Sequence, residues 1–140
     1  MPRWLIHHSP NTLTPEEKSH LAQQITQVYV RYGLPPFYVQ VHFTEQPAGT
    51  SFIGGEQNPN FVALTIYHLA RTMTTEQQRQ GFLKHIDGVL TPMFEPKGID
   101  WEYFVTEVSR DLWKINGLVP PPAGSEEEKL WVRENRPVRL

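Results

Sequence analysis

The chain of 140 residues contains no cysteine, which removes disulfide stapling, thiolate nucleophiles, iron–sulfur ligation and cysteine-based zinc sites. It also lacks a surplus of one charge. Thirteen Lys and Arg stand against 15 Asp and Glu, a formal charge of -2, and this withholds the basic footprint of a dedicated nucleic-acid binder. No apolar run approaches the roughly 18 residues of a membrane span, and Met1-Pro2-Arg3-Trp4 lacks the apolar core of a secretory signal. These absences predict a cytoplasmic, soluble protein with neither nucleic acid nor membrane as partner. Against them stand a 39% apolar fraction and 11% aromatics, too rich for disorder, and 13 prolines, roughly twice ordinary usage.

Trp4, Leu5 and Ile6 read as a short strand that begins almost at the chain start, before the turn-like Ser9-Pro10-Asn11. A helix follows. Thr14 is its cap, Pro15 suits its first position, and Glu17 completes a capping box; Leu21, Ile25, Val28, Tyr29 and Tyr32 then recur at helical spacing until Gly33 and Pro35-Pro36. From Phe37 to Thr44 apolar and polar residues alternate, which predicts a strand with Phe37, Val39, Val41 and Phe43 on one face and Tyr38, Gln40, His42 and Thr44 on the other. A loop from Gln46 to Pro59 has room for a hairpin around Phe52-Ile53-Gly54-Gly55. Phe61 to Tyr67 is apolar enough to predict a strand covered on both faces.

A second helix is capped by Thr75 with Gln78 and carries Phe82, Ile86, Val89 and Leu90, and Pro92 is expected to end or kink it. Ile99 to Val108 alternates again as a strand. The halves are copies in register: Leu21, Ile25 and Val28 lie 61 residues before Phe82, Ile86 and Val89, and Val39, Val41 and Phe43 lie 62 before Trp101, Tyr103 and Val105. A βαβ unit repeated at so short a period cannot close two separate cores, so both copies are expected to share one four-stranded sheet under two helices. The polar face on Tyr38, Gln40, His42 and Thr44 would then lie uncovered and ready for neighbouring subunits. The domain is expected to span residues 1–124, with 125–140 a tail laid over it or over a neighbouring subunit.

For chemistry, Pro2 stands out. If Met1 is removed, Pro2 becomes the one backbone secondary amine of the chain, with a reference pKa near roughly 8 that partial burial or nearby cations would lower toward neutrality. A general base works best near the ambient pH. The histidines form no metal set: His7 and His8 are adjacent on a strand and point to opposite faces, and His42 and His68 have no accompanying carboxylate motif.

The segment Glu45-Gln46-Pro47-Ala48-Gly49-Thr50-Ser51-Phe52-Ile53-Gly54-Gly55, together with Leu13-Thr14-Pro15, Trp101 to Phe104 and the Pro2 strand, resembles the tautomerase superfamily in its branch around cis-3-chloroacrylic acid dehalogenase. The resemblance runs to about Gly124. It implies an α+β fold in which tandem βαβ units form a four-stranded mixed sheet with two helices on one face. It further implies a homotrimer, a small carboxylate as substrate, no cofactor, and an N-terminal proline that moves protons on enols of 2-oxo acids. Residue by residue, Pro2 matches the catalytic proline and Tyr103 the tyrosine of the W-x-Y-F strand, although an aromatic there would serve the core equally well. Of the dehalogenase's two arginines, one falls on Arg71 and the other on Thr74; Arg71 is thus the candidate carboxylate anchor, against the alternative of a solvated loop charge. The family's first-helix histidine falls on Tyr29. Its late glutamate falls on Ile115 beside Asn116, so Tyr29 and Asn116 are expected to shape the pocket, and the loss of the carboxylate argues against efficient dehalogenation. The expected activity is that of a tautomerase-like isomerase. The alternative is a trimeric binding or structural protein that kept the fold and lost turnover.

Overall fold

The computed structural model describes residues 1–140. Strand β1 (Arg3–His8) leads into helix α1 (Pro15–Val30), and β2 (Gln40–Glu45) completes the first unit. A small hairpin of β3 (Phe52–Ile53) and β4 (Glu56–Gln57) precedes the second unit, made of β5 (Phe61–His68), α2 (Glu76–Phe94) and β6 (Asp100–Glu107). The main sheet has the order β2-β1-β5-β6, with β1 parallel to β2, β5 parallel to β6, and the two halves joined by the antiparallel pair β1 and β5. Each half supplies its own parallel pair; the core closes only when β1 meets β5.

Both long helices begin as their sequences dictate. The Thr14 hydroxyl accepts from the Glu17 amide at 3.1 Å while the Glu17 carboxylate accepts from the Thr14 amide at 3.2 Å, and Thr75 with Gln78 repeats the pattern. Leu21, Ile25, Val28 and Tyr29 from α1 and Phe82, Ile86, Leu90 and Phe94 from α2 are the buried stripes. They cover one face of the sheet, where Trp4, Ile6, Val62, Leu64 and Ile66 are 2% exposed or less. Pro92 does not end α2. The helix runs on to Phe94, and proline costs it only the bond to the Gly88 carbonyl.

Two strand expectations change. Pro35 and Pro36 fix their own torsions and open a 3-10 turn over Pro36–Tyr38, so β2 starts at Gln40 and Tyr38 leaves the polar face. Its ring is fully buried, with Trp113 at 5.2 Å and Trp131 at 6.3 Å between centroids. Within this chain β5 is covered on one face only: Val62, Leu64 and Ile66 are buried, Ala63 is exposed, and Thr65 and Tyr67 are half-buried.

Residues beyond β6 form a turn at Ile115–Leu118, a proline segment, and helix α3 (Glu126–Glu134). Ser125 caps α3 by accepting from the Glu128 amide at 3.1 Å. Trp131 is 2% exposed and sits against Phe37 and Tyr38, with its indole N–H donating to the Val138 carbonyl at 3.1 Å. The tail therefore lies on its own domain. No helix is long and apolar enough to cross a membrane.

Trp131→Ala should cost about 3–5 kcal/mol in denaturant unfolding, because it empties the socket that holds α3. Val132→Ala, on the exposed side of the same helix, should stay within about 0.5 kcal/mol. Equal losses would mean that the socket does not hold the helix.

Candidate functional site

Because β1 lies in the middle of the sheet and starts at Arg3, the first two residues are drawn into the interior. Pro2 is buried, and its carbonyl accepts from the Gln40 amide at 2.9 Å. Met1 packs half-buried above it, with the Gln40 side-chain amide donating to the Met1 sulfur at 3.3 Å. The amine that opens the chain loses its usual affinity for protons: burial first, then the charges of Arg110 and Arg3, bring its pKa from 8.0 down to about 4. The Met1 amine is thereby neutral at physiological pH.

Beside it, at the end of β5, His68 is 4% exposed. Burial above all, with the chain's amine in its protonated form and the Arg71 guanidinium, pushes its pKa down to about 4 against a raising contribution from the Arg71 backbone. Its ring is stacked on Tyr29 with centroids 6.1 Å apart and lies 5.0 Å from the Phe82 ring. Tyr29 in turn accepts from the Trp4 indole N–H at 2.8 Å, and burial holds its phenol above the usual range. His68, Tyr29, Tyr32, Arg71, Met73 and Phe82 line a cavity of about 250 Å³.

Arg71 follows an unusual backbone turn. Ala70 is buried and has a φ of 75°, the left-handed region that costs a non-glycine residue roughly 1–2 kcal/mol. This conformation lets the Ala70 carbonyl accept from Nη1 of both Arg71 and Arg110, each at 3.0 Å. Arg110 is fastened further by the Pro121 and Pro120 carbonyls at 2.7 and 3.3 Å and lies 5.3 Å from the Trp113 ring centroid. The triproline segment thus offers carbonyls that no neighbouring proline N–H competes for. Arg71 is already matched with a carboxylate: Nη2 and Nη1 donate to Glu128 Oε1 and Oε2 at 2.9 and 3.0 Å, and Nη2 also donates to the Tyr32 carbonyl. Glu128 side-chain exposure is 3%, and its Oε1 also accepts from the Gly124 amide. Arg71 is therefore not a solvated loop charge.

The structure brings Tyr29 and Arg71 to one cavity, with Pro2 buried near by. Tyr103 lies elsewhere. Its hydroxyl donates to Asp87 Oδ1 at 2.6 Å, burial and that carboxylate raise its pKa above the usual range, and its ring lines a separate cavity of about 430 Å³ that shares Met73 and Phe82 with the first. Asn116 is exposed, with a φ of 50°, and forms with Gly117 (φ 78°) a tight turn closed by reciprocal bonds between Ile115 and Leu118. It does not line the Arg71 cavity. Ile115, at the place of the family's glutamate, is a buried core residue.

Three groups escaped the sequence reading. Arg110 carries no local signal, since its role depends on a strained carbonyl forty residues away. Glu128 was visible as the last member of Ser125-x-x-Glu128, a capping-box spelling, yet its carboxylate turns from the cap to Arg71. His68 is the inward-facing end of a strand whose register with β1 sets it beside the chain start.

A family model described as "Putative oxalocrotonate tautomerase enzyme" matches residues 1–136. A probable enzyme from the thermophilic fungus Aspergillus fumigatus is 86% identical, with a TM-score of 0.97 over 100% of this chain and 98% of that one. RhCC from Rhodococcus jostii RHA1 is 42% identical, with a TM-score of 0.95 over 99% of both chains. A member of the cis-3-chloroacrylic acid dehalogenase family shares the fold at 22% identity, with a TM-score of 0.75 over 95% of this chain and 97% of that one. No curated protein matches the chain. With one family model matching nearly its whole length, the chain belongs to the oxalocrotonate tautomerase family.

Proposed function

We propose that the protein is a cofactor-free cytoplasmic isomerase in which the amine of Pro2, freed by removal of Met1, moves a proton between the oxygen and carbon of an enol derived from a 2-oxo acid. One observation supports this reading: the chain start is buried, Pro2 included, and these surroundings lower the proton affinity of the Met1 amine, first by desolvation and then through Arg110 and Arg3, as a freed Pro2 amine would need. Removal of Met1 would carry the amine one residue deeper into the same surroundings. Enol-to-keto conversion asks for one group that takes a proton on the oxygen side and returns it to carbon, and a single amine suffices. Hydration of an unactivated double bond asks for a second base, and Ile115 supplies none, so dehalogenation is not part of the proposal.

Arg71 and Arg110 give the site its preference for an anionic substrate. Glu128 occupies the forked edge of Arg71, and of the Arg71 donors only Nε–H has no protein acceptor. A substrate carboxylate would use that donor and the field of the two guanidinium groups. The binding-protein alternative draws on the same observation, since an arginine already paired is a weaker reason to expect turnover.

A homotrimer is part of the proposal. The sheet face away from the helices carries His42, Leu5, Thr65 and Phe104 in one register row, and Phe104 is 54% exposed. On the hairpin, Phe52 and Ile53 are 55% and 42% exposed. Two of the structural neighbours, fused 4-OT proteins at 19% and 17% identity, are described as trimers.

Phenylenolpyruvate ketonisation should depend on Pro2. Pro2→Ala keeps an amine and should weaken the reaction, and an extra residue ahead of Pro2 should abolish it. Arg71→Ala should lower kcat/KM roughly tenfold to a hundredfold through loss of a charge-assisted contact. Equal rates for the wild type and the extended form would transfer the site to the binding-protein reading. Sedimentation equilibrium should return three times the chain mass of 16.3 kDa; a monomer at all concentrations would contradict the trimer.

A further inference from the structure

Arg71 is the cation of its cavity, and the protein has already matched it. Of the side chains that line this space Arg71 alone is charged, since burial above all keeps His68 uncharged at neutral pH with a pKa of about 4. Both Nη groups of Arg71 are spent within the chain: they donate to the Glu128 carboxylate at 2.9 and 3.0 Å and to the Ala70 and Tyr32 carbonyls at 3.0 and 3.1 Å. Glu128 does not line the cavity, and its side chain is 3% exposed. A bidentate pair with one partner so deeply buried presents a nearby anion with a dipole and not with a full positive charge. The remaining wall holds no cation in reserve. At the start of α2 the Thr74 and Thr75 amides donate to Gln78 Oε1 at 2.8 and 3.2 Å, the Gln78 amide donates to the Thr75 hydroxyl, and Glu76 adds a negative charge to the first turn. Arg79 lines the second cavity, which Glu107 lines as well. The Arg71 cavity is otherwise walled mainly by Tyr29, Tyr32, Leu34, Met73 and Phe82.

We propose that Glu128 determines the substrate class of this site: by matching Arg71 it fits the cavity to enols that carry one carboxylate and an aryl or other apolar group, and sets it against enols that carry two carboxylates. The inference rests on the tautomerase reading and deepens it. Glu128 acts through Arg71 and touches no substrate. One carboxylate can draw on the Arg71 Nε–H, which has no protein acceptor, and on the field of Arg110. A second carboxylate would leave water for a wall of aromatic and aliphatic side chains with no cation to meet it, which is costly unless the charge is paired. An aryl group in the same place would give up only water and gain the faces of Tyr29, Tyr32 and Phe82. The discrimination thus comes from what the cavity refuses as much as from what it holds.

The test uses the full chain with Met1 removed and reads the ratio of kcat/KM for phenylenolpyruvate to that for 2-hydroxymuconate, which bears a carboxylate at each end. Intrinsic reactivity is the same in every variant, and a general loss of active protein divides out of the ratio. Glu128→Gln, which keeps the shape and removes the counter-charge, should lower the ratio roughly tenfold in favour of the dianion. Gln77→Arg, at an exposed position on the cavity wall, adds a cation without disturbing the core and should move the ratio the same way, so the proposal remains testable if Glu128→Gln does not fold. Independently of turnover, calorimetry on the wild type should find phenylpyruvate bound at least roughly tenfold more tightly than 2-oxoadipate. If the wild type converts neither enol but holds this binding preference, the tautomerase reading falls and the charge selection stands. An unchanged ratio in folded Glu128→Gln or Gln77→Arg protein, or 2-oxoadipate bound as tightly as phenylpyruvate, would overturn the proposal.

Discussion

Positive charge gathered around a buried chain start is the constraint from which the site follows. The first strand is a central one, paired to β2 on one side and β5 on the other, so the terminal amine cannot lie at the surface. Arg110 and Arg3 act on that amine, and Arg71 acts on His68, in a region where Glu128 is the one buried carboxylate. Charges brought so close under reduced solvation must be paired or discharged. Arg71 is paired, through the two-pronged contact with Glu128, and Arg110 is solvated by carbonyl oxygens. The amine and His68 have no such partner, and both give up their protons. Neutral bases in a cationic pocket result from this division.

The tail belongs to the same arrangement. Trp131 closes over Tyr38, and this brings the first turn of α3 to Arg71, so that an ornament on the end of the domain supplies the one buried counter-charge. The strained Ala70 carbonyl ties the two arginines together from the other side. Strain at such a residue persists only where the surroundings over-determine it, and here four elements meet on two residues.

Much of the scaffold could be read from the sequence because it rests on local rules. Thr14 with Glu17 and Thr75 with Gln78 announce their helices, and the register between the halves announces the duplication. The reading failed where the decisive partner was far away in the chain. Tyr38 obeyed a strand alternation but was claimed by Trp113 and Trp131, and Pro92 was tolerated because the helix stripe carried Phe94 into the core. In the site, Pro2 stood out as a candidate because its chemistry would reside in its own backbone nitrogen, whereas its burial follows from β1 being a central strand. Arg71 was legible as a cation but not as one already held by Glu128. His68 was weighed only as a metal ligand and set aside as one, since the burial of its unpartnered ring nitrogens is a tertiary property that no sequence displays.

The account stands on the state of one nitrogen. The most direct measurement is a 15N titration of the Pro2 amine in protein labelled at proline, with intact mass fixing whether Met1 is gone. A free Pro2 amine titrating well below its ordinary value of about 8 is the predicted result. Retained Met1, which makes that nitrogen an amide, or a Pro2 amine titrating near 8 or above, would contradict it.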